Sequence, residues 1–200
     1  MAEAETMVEL PRSVHRYCTD SRVRTAVDVL LAGKAPAMPE GTSWDEMPDF
    51  YLACLAAQQT KVEWAIALDR LWNAVWFDQL AGWNASSVRQ QASESGLKMD
   101  PESLWTGDSY MRDHHRGETY LETWVELLPA ETGIRIGIAR YDDGEDVSIT
   151  TGEFELINDY LSSSIVPLGE TPEVSVTSLR GAAVRMLALA EQAAPALSAT

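Results

Sequence analysis

Residues 112–118, Arg-Asp-His-His-Arg-Gly-Glu, form the densest ionisable cluster of the chain and hold two of its three histidines. Asp113, His114, His115 and Glu118 are all metal-ligand types. Three or four such groups converging on one ion would make a metal-dependent hydrolase. Local spacing argues against convergence. "DSYMRDHHRG" reads as a short helix, capped by Asp108 and stopped by Gly117, and adjacent residues on a helix diverge by about 100°. His114 and His115 then face apart, and Glu118 reaches the side of His114 only if the helix outlasts the glycine. A solvated helix end, with cations suited to the C-terminal dipole, is the simpler reading.

The other polar groupings are weaker. Asp142, Asp143, Glu145 and Asp146 flank Gly144 without the alternating oxygens and distal glutamate of a calcium loop, and Asp-Gly is ordinary hairpin-turn chemistry. Glu122 and Glu126 could pair as catalytic carboxylates, but Glu126 falls opposite Arg135 in the register given below. "GIRIG" has the wrong glycine spacing for a phosphate loop, and no Gly-x-Ser-x-Gly elbow occurs. Cys18 and Cys54 share no motif and read as reduced thiols. His15, three residues before Cys18, is of the type that lowers a thiol pKa but is a lone coincidence. No cofactor or resident metal is expected.

Charge sets the partner class. The 200-residue chain carries 31 acids against 15 bases, a net charge of −16, which opposes direct binding of nucleic acid or an anionic membrane and permits a basic protein partner. No run approaches the roughly 20 apolar residues of a membrane span. "MAEAETMVELPRS" lacks the apolar centre of a signal peptide, so a cytoplasmic location is expected. With 46 % hydrophobic residues, the chain can bury a core without disulfides.

The elements that would position these groups follow from periodicity. Thr19, Asp20 and Ser21 offer N-cap oxygens to a helix whose Val23, Val27, Leu30 and Leu31 share one face. Ser43 and Glu46 have capping-box spacing, and Pro48 marks a competing start. A helical pattern then runs to Gly82, with "QQTK" at 58–61 as a break. Trp64, Trp72, Trp76 and Trp83 line one side of it with Leu68 and Val75, a buried seam or a protein interface. Base stacking would want interleaved cations, and Asp69 and Asp78 stand there instead.

Beyond residue 117 the pattern changes to period two. Pairing Leu127 with Ile134 aligns Val125 with Ile136 and Thr123 with Ile138 on one face. It also sets Glu126 opposite Arg135 and Trp124 opposite Gly137 on the other, both favourable pairs. A third strand pairs Ile149 with Ile138 and Val147 with Arg140. "GEFELINDYLSS" is open between strand and helix, "PEVSV" suits an edge strand, and "SLRGAAVRMLALAEQAA" is a closing helix capped by Ser178, with Val184, Leu187 and Ala188 or Glu191 on successive turns and an Ala-rich face suited to close packing on the sheet.

The expectation is therefore an α+β protein. Residues 1–117 form a mostly helical part. Residues 118–200 form a three- to four-stranded antiparallel meander with a C-terminal helix packed on it, on one core or two. The expected function is non-enzymatic: an acidic protein-binding module of inhibitor, immunity, antitoxin or assembly-subunit type. It would recognise a basic protein through Trp64, Trp72, Trp76, Trp83, Trp124, Asp142, Asp143, Glu145 and Asp146. The alternatives are the hydrolase above and a homo-oligomeric scaffold joined through the tryptophan stripe.

Overall fold

A single helix, α3 (Met47–Trp76), organises the molecule. The computed structural model describes residues 5–31, 43, 45–85, 109–143, 145–149, 151–157 and 160–193. Among these are four helices and a large antiparallel sheet. Before α3 come β1 (Met7–Glu9), α1 (Arg12–Thr19) and α2 (Ser21–Leu31). After it come β2 (Asn84–Ala85), β3 (Ser109–Arg116), β4 (Thr119–Leu128), β5 (Gly133–Asp142) and β6 (Glu145–Asp146). The chain ends with β7 (Glu155–Ile157), β8 (Tyr160–Ser162), β9 (Val166–Pro167), β10 (Glu173–Ser175) and α4 (Thr177–Gln192).

The expected break in α3 is absent. Its 30 residues run unbroken, about 45 Å at 1.5 Å per residue. The polar stretch 58–61 is absorbed locally: the Thr60 hydroxyl donates to the Ala56 carbonyl and the Gln59 amide to Glu63. Glu46 accepts from the Ser43 N–H and hydroxyl, and Pro48 occupies the first turn, so both expected start signals are used. Asp20 caps α2 through the N–H groups of Arg22 and Val23. Of the linker, capping and short-helix expectations, Gly33, most of 34–44 and residues 86–108 lie outside the described residues.

The β4–β5 ladder has the expected register, from Leu127 opposite Ile134 to Thr123 opposite Ile138, with Glu126 on Arg135 and Trp124 on Gly137. The sheet is larger than three or four strands: eight strands in the order β2-β3-β4-β5-β8-β7, with β6 and β9 also on β5. Two corrections explain the difference. First, residues 109–116 are strand, not helix, and pair with β4 along their whole length. Inward Tyr110, Arg112, His114 and Arg116 alternate with outward Met111, Asp113 and His115, so both faces look polar in sequence although the period is two. The sheet thus begins well before residue 118. Second, three short segments share the far edge of β5. The expected third strand holds only at β6 and Val147, whose N–H donates to the Arg140 carbonyl. β8 then takes the middle of β5, with Leu161 opposite Ile138, and β9 the start.

"PEVSV" is an edge strand, but its partner is β1 at the other end of the chain. α4 forms as expected with its Ala-rich face inward, but it starts at Thr177 and no side chain caps it, so Ser178 is not the cap. Leu179, Ala182, Ala183, Met186 and Ala190 are buried while Val184 is exposed, because alanines allow the closer approach to the sheet. Arg140 fixes the helix end by donating to the Ala190 and Ala193 carbonyls at 2.6 and 2.8 Å. One apolar core joins α1, α2, α3, the inner sheet face and α4.

Candidate functional site: the open face of the sheet

The inner face explains the tryptophans. Trp64, Trp72, Trp76 and Trp83 are all buried within the chain. Trp64 meets the Tyr17 ring edge-on at 5.5 Å. The Trp72 indole N–H donates to Thr123 Oγ1 and O at 3.2 and 3.3 Å, and that of Trp76 to the Trp124 carbonyl at 3.1 Å. Buried indoles need such partners, and these bonds hold α3 onto β4. The Arg112 guanidinium lies 4.3 Å over Trp72 and pairs with Asp69 at 2.6 Å. Arg116 covers Trp83 at 4.2 Å and reaches Glu191.

The 112–118 cluster is dispersed by this arrangement. Strand alternation sends His114 inward and Asp113 and His115 outward, while Glu118 sits in the β3–β4 turn. His114 is 5 % exposed and stacks on Trp72 at 5.5 Å with 7° between the rings. Its Nδ1 has no hydrogen-bond partner. Burial outweighs a hydrogen bond from the ring to the Arg112 backbone and, with the nearby Arg112 and His115 charges adding, pushes its pKa down to about 4. Among the described residues, no three His, Cys, Asp or Glu side chains are placed to hold a metal ion.

The outer face is different in kind. α3 and α4 pack on the inner side, and no described helix lies over the outer one. Trp124, 7 % exposed, lies over Gly137 and meets Tyr160 edge-on at 6.3 Å. Glycine is required here, since a Cβ at 137 would collide with the indole and stand 2.6 Å from the Leu161 carbonyl. Arg135 sits 5.8 Å over Trp124 and donates from Nε and Nη2 to Glu126 at 3.0 and 2.7 Å. Glu122 accepts from the Tyr160 and Tyr141 hydroxyls at 2.5 and 3.2 Å. Burial first, and then the Glu122 carboxylate, hold the Tyr160 hydroxyl well above the usual phenol range. Glu122 and Glu126 are thus each engaged, 4 residues apart on one strand. Met111 and Tyr120 are exposed beside them.

One corner of this face is acidic. The Asp143 N–H donates to the Glu118 carbonyl at 3.4 Å, joining the β3–β4 and β5–β6 turns. Both turns bend through left-handed residues, Gly117 at φ 67° and Asp143 at φ 52°. Glu118, Asp143, Glu145 and Asp146 are all exposed there. Asp142 is set apart. Burial works against its charge, yet hydrogen bonds from Arg140 and Thr119 hold its carboxyl below the usual range, and Arg140 pairs with it at 2.7 Å.

The nine expected interaction residues therefore divide between two faces. Trp124 and Asp146 have outer-face parity and Asp143 lies in the turn at its corner, whereas Asp142, paired with Arg140, and Glu145 opposite it have the parity of the inward residues at the sheet's end; the other four tryptophans lie in the core. Tyr120, Tyr141 and Tyr160 were missed. Extending the β4–β5 register by parity would have found Tyr120 opposite Tyr141; Tyr160 carried no comparable signal. Comparison with known proteins gives no match, whether to a family model, a curated protein or a solved structure.

Proposed function

We propose that the chain is a non-enzymatic, acidic protein-binding module that recognises a basic protein partner through the outer sheet face and its acidic corner. The observation that carries this is a sheet face over which no described helix lies, with Tyr120 exposed and Tyr141, Tyr160 and Arg135 partly exposed, bordered by four exposed carboxylates. The carboxylates raise the capture rate of a basic surface. The tyrosines and Arg135, backed by the buried Trp124, supply the desolvated contact that sets residence time. The geometry suits an inhibitor, immunity protein, antitoxin or assembly subunit, since the hydroxyls and carboxylates satisfy one another instead of converging on an empty reaction centre. Among the described residues no helix is long and apolar enough to cross a membrane.

The test is capture from cell extract by the immobilised chain, compared with a Glu118→Gln, Asp143→Asn, Glu145→Gln, Asp146→Asn variant. A basic protein should be retained by the parent, released as salt rises, and associate about tenfold more slowly or worse with the variant. Retention indifferent to both salt and the four substitutions would refute the proposal.

A further inference from the structure

α3 has two apolar sides, and among the described residues only one is used. Trp64, Leu68, Leu71 and Val75 face the core. On the opposite side Leu52, Leu55, Gln59, Val62 and Ile66 fall within an arc of about 80° at 100° per residue. Leu52 and Leu55 are 62 and 60 % exposed, Val62 and Ile66 46 and 42 %. Successive spacings of three, four, three and four residues are the heptad pattern of paired helices, with one polar residue at its centre. Among the described residues, nothing in the fold requires that repeat.

We propose that this seam joins two copies of the chain by parallel, in-register pairing of α3. Charge selects the occupant. Two molecules of net charge −16 repel over most of their surfaces. Between Asp49 and Glu63, however, the only ionic side chain is Lys61, which is buried. The flanking Tyr51, Ala56, Gln58 and Ala65 are uncharged and offer none of the charge pairing that would select a different helix. Of the acids beside the seam, Glu63 is already bonded to Ser13 and Gln59, and Asp69, one turn beyond Ile66, is paired with Arg112. In register, each apolar residue meets its own copy, and Gln59 keeps an N–H and its carbonyl for the opposing Gln59. Covering the stripe removes on the order of 500 Å² per copy, at the lower edge of a specific interface, so a micromolar dimer is expected.

Sedimentation equilibrium of the full chain from about 1 to about 500 μM tests this. The mass should rise from 22.1 kDa toward twice that value. Leu55→Glu and Ile66→Lys, both at exposed positions, should hold it at one chain with unchanged circular dichroism. Gln59→Leu should shift the midpoint at least tenfold lower in concentration, because a polar residue at that position costs stability. A parent that stays at one chain throughout, a Leu55→Glu variant that associates like the parent, or a Gln59→Leu variant with an unmoved midpoint would each overturn the proposal.

Discussion

His114→Phe isolates the cost of burying an ionisable ring in the core. Phenylalanine keeps a flat ring for the stack on Trp72 and removes both the unpartnered Nδ1 and the titration. At pH 7.5 the variant should be more stable by about 1 kcal/mol, the scale of one unsatisfied buried polar atom. The larger signal is in pH. A histidine held near 4 in the folded chain, against the ordinary 6.5, is protonated first in the unfolded chain. Its contribution is therefore intact above pH 6.5 and lost as pH falls toward 4. Integrating that difference gives about 2.5 kcal/mol by pH 4.5. The acid surface gains stability over the same range as self-repulsion is relieved, so the parent's own profile mixes opposing trends. Urea unfolding of parent and variant, at half-unit steps from pH 7.5 to 4.5, cancels the shared background. The gap between them should widen steadily below pH 6.5. A gap constant across the series would refute the reasoning.

Two further outcomes concern the sheet. Gly137→Ala should cost about 2–3 kcal/mol in denaturant unfolding, because its Cβ would strike Trp124 and the Leu161 carbonyl; a loss below about 0.5 kcal/mol would mean that the indole moves aside freely. Thr123→Val should cost about 1–2 kcal/mol, since the hydroxyl accepts from Trp72 and donates to the Arg112 carbonyl; thermal melts of parent and variant measure it, and no change would mean that the backbone carbonyl of residue 123 alone satisfies the indole.

What could be read from the sequence depended on whether several signals agreed. The β4–β5 ladder was readable because apolar parity, the Glu126–Arg135 pair and the Trp124–Gly137 pair all demanded one register. β3 was not, because its inward residues are a tyrosine, two arginines and a histidine, whose stems and rings pack while their polar ends find partners. No hydropathy scale distinguishes that strand from a polar helix. The unbroken α3 was hidden by Gln58, Gln59, Thr60 and Lys61, which look like a linker until local hydrogen bonds absorb them. The candidate site was half visible. Its acids and Trp124 stood out by type, whereas Tyr160 reaches Glu122 only because the edge of β5 is divided among three segments, an arrangement with no local signature.

The pairing of β1 with β10 sets an order on biosynthesis. Val8 lies opposite Val174, 166 positions later, and the Thr6 carbonyl accepts from the Val176 N–H. At about 5–20 residues per second, the opening strand waits roughly 8–33 s on the ribosome for its mate to be made. During that interval its backbone donors and acceptors are open to any passing strand, so β1 is secured only after the intervening sheet and α3 have been made, and the nascent chain carries an unpaired strand throughout.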